Sequence, residues 1–361
     1  MRINFIIPSP GASGGLKVVY KYFEEFQKKG HDIIVYFPLI PYILDYDRGV
    51  WYKIYFKISR FFLNIRRYIF GNHEKRFSDK VIFKPVIKIN NKTIRDADVT
   101  IATAWPTAYD VNKLESSKGE KYYFVQDFEI WDNEYLGKKT YTLKLNKIVI
   151  ANWLKKEINK VNHINENIPI IYNGVDDDFV NGDVSKYVSK NNINCLMLYH
   201  HLEKKGVKYG LKSFEIIKEK YPNSKLTMFG LKKPLDIPNY ITFVENPSKK
   251  EIIELYKQNE IYIFPSLEEG WGLTVFEAMA SKCVVVGTDV GCLHEFGKHM
   301  ENAMISKPKD VENMSNNLIQ LIENPLLYKN ISENAYATSL KFKWENSVNQ
   351  FLGIITGGNY E

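Results

Sequence analysis

Two hydrophobic periods take turns along this chain. Short apolar runs that read as strands fall at Arg2–Ile7, Asp32–Phe37, Ala97–Thr103, Lys121–Gln126, Lys147–Ala151 and Ile168–Tyr172. Between the first two lies Gly15–Lys29, where Val18, Val19, Tyr22, Phe23 and Phe26 share one helical face and Gly30 supplies a stop. Asp176–Asn192 is polar and aperiodic, and reads as a linker with its core at 181–192. The alternation then resumes. Strands are predicted at Asn194–His200, Lys225–Phe229, Tyr240–Val244, Ile261–Phe264, Cys283–Gly287 and Ala303–Ile305. Helices are predicted at Val207–Lys220, Lys249–Gln258, Leu273–Ser281 and Val311–Glu323. Apolar strands separated by helices imply parallel sheets. The pattern occurs twice, so it predicts two doubly wound, Rossmann-like α/β domains, 1–180 and 193–341, facing across a cleft. Ligands of such sheets bind at the carboxyl ends of the strands. The closing stretch Phe342–Ile355 is amphipathic at helical spacing, and 342–361 is expected to pack back on the first domain.

Composition narrows the class. A length of 361 residues suits two domains, and 45% hydrophobic with 25% charged residues excludes a disordered chain. The three cysteines, Cys195, Cys283 and Cys292, form no CxxC pair, which excludes a disulfide scaffold and fits a reducing, cytoplasmic setting. No run reaches the ~20 apolar residues needed to span a bilayer. The opening MRINFIIPSPG is too short an apolar run for a signal peptide and is broken by Pro8 and Pro10.

Charge adds a feature that periodicity misses. The net +7 lies wholly in residues 1–180, which hold 28 Lys and Arg against 21 Asp and Glu. It concentrates in Arg48–Phe77, with eight basic residues and one acid, Glu74. Nine Trp, Tyr and Phe residues are interleaved there, and Ile54, Ile58, Phe61, Phe62, Ile65 and Ile69 recur at helical spacing. A basic, aromatic, amphipathic helix reads as an element for an anionic membrane surface, with Arg60, Arg66 and Arg67 among its contacts. The other reading is a helix packing its aromatic face on its own domain. No nucleic-acid motif accompanies the charge, so nucleic acid is not an expected partner. There is no DxD-like pair in a suitable loop and no His/Cys cluster of ligand spacing, so no metal is implied.

One block is specific. Glu268-Glu269-Gly270-Trp271-Gly272-Leu273-Thr274-Val275-Phe276-Glu277-Ala278-Met279-Ala280 resembles the E-x7-E motif of the retaining family 4 glycosyltransferases of the GT-B fold, with Glu269 and Glu277 at its ends. Weaker pieces agree in order. Pro10–Gly15 resembles the family's glycine loop, and Tyr172–Asp176 its NGVD segment. Glu203-Lys204-Lys205-Gly206 resembles the KG motif, and Phe342-Lys343-Trp344-Glu345 the F-x-W-E of the closing helix. Phe124–Glu129 resembles a branch found among bacterial polysaccharide-assembly enzymes, including rhamnosyltransferases. The resemblance covers nearly the whole chain. It implies transfer of a hexosyl or deoxyhexosyl group with retention, from a nucleoside diphosphate sugar to a glycan acceptor. A lipid-linked acceptor would give Arg48–Phe77 a purpose and place the protein at the inner face of a membrane. The rivals are a non-catalytic scaffold of a glycan assembly complex and an epimerase or phosphorylase on the same architecture.

The residue types suit that chemistry. Gly14 and Gly15, opening a helix, would offer backbone N–H groups and a positive dipole end to a diphosphate. Lys205 would stabilise the leaving diphosphate. Glu277 would accept from ribose hydroxyls, and Glu269 with the backbone of Gly270, Trp271, Gly272, Leu273 and Thr274 would meet the donor sugar. Gln126 stands where relatives often carry His; it can hydrogen-bond but cannot act as a general base. Asp127 and Glu129 would bind an acceptor hydroxyl or balance charge, or else cap a helix or join an ion pair. Relatives often have an Arg shortly before the KG motif; His200 and His201 stand there instead. A histidine cation would weaken donor binding as pH rises through neutrality. Lys282 and Cys283 replace the usual Gly and Pro after the motif helix, which reads as a changed turn.

Overall fold

The computed structural model describes every residue except 12, 43–48, 71–81, 164, 181, 183–185, 189, 192 and 359–361; the side chains of 67 and 70 are also outside the description. The chain divides into two compact units. One comprises Met1–Tyr172 with Ser347–Glu361, the other Asn173–Asn346.

The first unit runs β1 (Arg2–Ile6), α1 (Gly14–Lys28), β2 (Asp32–Pro38), α2 (Val50–Phe70), β3 (Ile82–Val86), β4 (Val99–Ala102), α3 (Trp105–Asn112), β5 (Glu120–Val125), α4 (Glu134–Thr140), β6 (Asn146–Val149) and α5 (Asn152–Asn162). Its six strands pair in parallel in the order β3-β2-β1-β4-β5-β6. The second unit runs β7 (Asn194–Leu198), α6 (Val207–Lys220), β8 (Lys225–Gly230), β9 (Ile241–Glu245), α7 (Lys249–Gln258), β10 (Ile261–Phe264), α8 (Leu273–Ala280), β11 (Val284–Thr288), α9 (Cys292–Phe296), β12 (Met304–Ser306), α10 (Val311–Glu323) and α11 (Pro325–Ser339). Its sheet is also parallel, in the order β12-β11-β10-β7-β8-β9. α12 (Trp344–Thr356) closes the chain. The strand order reverses beside β1 and β4 in one sheet, and beside β7 and β10 in the other. Helices crossing to opposite faces leave a gap above such a reversal, and loops from the two flanking strands meet there.

The structure departs from the sequence expectations in three places. Ile168–Tyr172 is not a strand; it is an extended segment with one bridge, Val149 to Ile170. The sixth strand is instead β3, an edge strand whose Pro85 and alternating exposure hide it from a search for apolar runs. The division falls after Tyr172 rather than at 180, because the polar run from Asn173 carries three apolar anchors. Val175, Phe179 and Val188 are all buried in the second unit, and Val188 joins its main core. Residues 181, 183–185, 189 and 192 of the expected linker lie outside the described residues. At the C-terminus only Ser347 onward belongs to the first unit, where Phe351 packs on Tyr22, Phe26 and Phe124 at 4.9–5.4 Å between ring centroids. Phe342 stays in the second unit, 4.3 Å from Phe276, 4.7 Å from Phe296 and 5.9 Å from Trp271. Gly174 lets the Trp344 backbone come close, since a β-carbon there would sit 2.4 Å from Trp344 N. The NGVD and F-x-W-E segments thus lock together, which is a packing reason for both.

Candidate active site

In the second unit the loops after β7 and β10 meet at the reversal. The β7 loop turns through Glu203–Lys205 to Gly206, which begins α6 in the left-handed region at φ +63°. No side chain fits at Gly206: a β-carbon would lie 1.9 Å from Pro265 O. The two loops are laced by Leu267 N donating to Lys204 O at 2.7 Å. This brings Lys205 Nζ to 2.6 Å from Glu269 Oε2, with both side chains mostly buried. Ser266 Oγ donates to the same oxygen at 3.3 Å. Glu268 is exposed, so of the two adjacent acids it is Glu269 that faces the lysine. Gly272 and Gly291 give Glu269 its space, as β-carbons there would lie 3.4 and 3.1 Å from its stem.

Eight positions on, Glu277 is half-buried in α8. Its Oε2 accepts from Tyr256 on α7 at 3.1 Å. Trp271 turns inward and stacks on Phe276 at 5.5 Å, so only its backbone can meet a ligand. Gly270 and Gly272 are buried, Leu273 and Thr274 half-buried, at the mouth of α8. His200 and His201 stack at 4.6 Å. His200 Nδ1 accepts from Leu202 N at 3.1 Å, which leaves Nε2 as the protonated nitrogen of the neutral ring. Burial, then His201, Lys205 and Lys204, hold its pKa below the ordinary histidine value. In the turn after α8 the lysine takes a backbone shape that suits glycine. Lys282 adopts φ +56°, a conformation glycine favours, and its ammonium is held 3.2 Å from Glu333 and 5.2 Å from the Tyr336 ring centroid.

In the first unit Ser13 caps α1, its Oγ accepting from Leu16 N, and Gly14 faces open space. The Gln126 amide, just past β5, lies against Gly15: a β-carbon there would be 3.6 Å from both amide heteroatoms. Gln126 Oε1 is buried without a hydrogen-bond partner among the described residues. Asp127 Oδ1 accepts from Phe128 N at 2.9 Å.

Glu129 is not at the surface. It is 5% exposed and accepts from the Tyr123 hydroxyl at 2.6 Å, while its own N–H donates to the Tyr141 hydroxyl at 2.8 Å. Burial raises its pKa to about 8 against the hydrogen bonds from Tyr123 and the Trp105 and Gln126 N–H groups, with Asp127 adding to the rise. Glu129 is thus an internal tie between the β5 loop and the start of α3, not the exposed acceptor contact expected of it.

Arg66 is exposed, Arg60 lies over the Phe56 ring at 5.4 Å, and the Arg67 side chain and residues 71–77 lie outside the described residues. Two surface hollows, of about 590 and 710 Å³, are lined by Asp98, Gly119 and Lys144 at the amino ends of strands and by Lys156 on α5 with His163 just past it. Neither touches the expected residues. Among the described residues no three His, Cys, Asp or Glu side chains gather as a metal site. Sequence reading missed Ser266 and Tyr256, which hold the two glutamates. The Pro265-Ser266 step directly before the acidic loop is the signal that could have found the first.

Residues 184–338 match the family model described as glycosyl transferases group 1. An uncharacterised glycosyltransferase of Haemophilus influenzae is 29% identical over 182 residues, covering 47% of this chain and 51% of the relative. The serotype-specific mannosyltransferase WbdA of Escherichia coli is 32% identical over 97 residues, 27% of this chain and 12% of its own length. The chain thus spans about half the length, or less, of these curated relatives. Across 99% of this chain and all of the other, the structure of Anabaena Alr3699/HepE with UDP and glucose superposes with a TM-score of 0.74 at 14% identity. WaaG, a glycosyltransferase of lipopolysaccharide biosynthesis, superposes over 99% of this chain and all of its own with a TM-score of 0.63 at 13% identity. Residues 184–338 are thus similar to the group 1 glycosyl transferases, and the two parallel α/β units have the GT-B fold.

Proposed function

We propose that the protein is a retaining glycosyltransferase that moves a hexosyl or deoxyhexosyl group from a nucleoside diphosphate sugar to a glycan acceptor in the synthesis of a bacterial surface polysaccharide. The observation that carries this reading is the Lys205–Glu269 pair at the strand-order reversal, with Glu277 on the adjoining helix. Lys205 leaves Glu269 for the incoming diphosphate. Glu269, relieved of its partner, accepts from sugar hydroxyls, and Glu277 accepts from the ribose. The bond from the anomeric carbon to the diphosphate oxygen breaks, and its electron pair leaves with the phosphate. The acceptor oxygen bonds to the same face of that carbon, and its proton passes to the departing phosphate oxygen. Lys205 stabilises the charge that develops there, in place of a divalent cation. The Anabaena neighbour's bound UDP and glucose support a nucleotide-sugar donor.

The acceptor is lipid-linked in this reading, and α2 rests on an anionic membrane surface. Among its described side chains only Asn64 is buried, while Trp51, Tyr55, Ile58, Phe62 and Ile69 form an exposed apolar stripe. No described helix is long and apolar enough to cross a membrane.

The test is turnover by Glu277→Ala. The variant is expected to keep its fold and lose donor binding, with the nucleoside diphosphate released only when acceptor is present in the wild type. Wild-type turnover by the variant, or nucleotide release indifferent to acceptor, would overturn the assignment.

A further inference from the structure

Tyr256 is fully buried on α7, and none of the steps above uses it. Its hydroxyl lies 3.1 Å from Glu277 Oε2 and 3.3 Å from Thr274 O. A phenol has one proton, and the charged acceptor takes the larger share of it. The ring is held by Phe179 at 5.8 Å, Phe229 at 6.2 Å and Tyr262 at 5.6 Å. Its carbonyl accepts from Lys186 Nζ and Cys283 Sγ, so the backbone is pinned as well. Burial, with the charge of Glu277 beside it, keeps the phenol protonated far above the usual tyrosine range. A permanent donor on a rigid mount therefore grips one oxygen of a half-buried carboxylate.

We infer that Tyr256 is a positioning residue for nucleoside recognition: it fixes the rotamer in which Glu277 meets a ribose diol. The inference rests on the proposed role of Glu277. It adds that selectivity for ribose over 2′-deoxyribose depends on a buried phenol that never touches the ligand. Free rotation of the carboxylate would spread its lone pairs over several directions, and a bidentate contact to two hydroxyls is the contact most sensitive to that spread.

The experiment titrates UDP, GDP and ADP, and their 2′-deoxy counterparts, into the full-length wild type, Tyr256→Phe, Glu277→Ala and the double variant by calorimetry. Tyr256→Phe is expected to weaken the best ribonucleotide about tenfold and its deoxy counterpart less. The double variant is expected to bind no more weakly than Glu277→Ala alone, because the phenol acts only through that carboxylate. The ribo-to-deoxy affinity ratio does not depend on the folded fraction, so it stays readable if Tyr256→Phe is partly unfolded. Unchanged binding or an unchanged ratio in Tyr256→Phe, with Glu277→Ala weakened, overturns this inference alone, as does full additivity in the double variant. Unchanged binding by Glu277→Ala overturns the ribose assignment itself, and failure of all three nucleotides to bind the wild type overturns the donor reading and this inference together.

Discussion

A lysine that pairs with a carboxylate at 2.6 Å and also receives a diphosphate must exchange one anion for another. In the proposed reaction its worth would lie in the charge that appears as the bond from the anomeric carbon to the diphosphate breaks. Lys205→Ala is therefore expected to lower kcat by about 2–4 kcal/mol of transition-state stabilisation, with a smaller effect on donor affinity. An unaltered kcat would remove it from the chemistry. Glu129 makes a different prediction. Its folded pKa of about 8 exceeds the ordinary carboxylate value, so the folded state keeps a proton that the unfolded state gives up. The stability from that group is fully present below the unfolded pKa and is lost as pH rises through the folded one. Urea unfolding between pH 5 and 8 should show the wild type losing stability faster than Glu129→Gln; parallel curves would show that Glu129 ionises normally. In sequence, Glu129 and Asp127 were equivalent carboxylates after a strand. Only the tyrosines packed around one of them, Tyr123 and Tyr141, separate the two.

At the scale of elements, α2 stands out because it is a 21-residue helix with so little burial. Trp51 is 84% exposed, Tyr55 72% and Phe62 64%, and they lie on one stripe. The helix is fixed to its unit on another side, by Asn64 Nδ2 donating to Pro38 O at 3.3 Å and by Tyr68 against Phe37 at 5.8 Å. An apolar stripe beside Lys53, Lys57, Arg60 and Arg66, with no acid in the helix, is the pattern the proposed contact with an anionic bilayer needs. Arg60→Glu with Arg66→Glu is expected to weaken binding to phosphatidylglycerol vesicles by about 1 kcal/mol per position, measured by co-sedimentation across a lipid titration. Sedimentation equal to wild type would leave the helix without a membrane role. The amphipathic pattern of α2 was legible from Ile54 to Ile69. Which of its faces would be left uncovered was not, because β2 and its following loop, which take the Asn64 side, are distant in sequence.

For the whole molecule, ligand linkage is the direct check on the donor. A nucleotide sugar that binds only the folded chain should stabilise it by about 2.7 kcal/mol at a hundredfold excess over Kd, read as a rise in Tm across a panel of nucleotide sugars. No rise with any of them would count against the donor reading. The sequence determined that two parallel α/β units would form, because strand runs, helical faces and glycine stops are local properties that survive in any context. It also singled out the loops that meet at the strand-order reversal, since Lys205 and Glu269 lie between a strand and the helix after it and Glu277 in that helix. Tertiary structure alone decided the rest. It joined the polar run after Tyr172 to the second unit through Val175, Phe179 and Val188, and it buried Glu129. It also placed Tyr256 under Glu277. Each of these is a contact between residues far apart in the chain or hidden among polar neighbours, and such contacts are settled by packing and desolvation, which no local periodicity encodes.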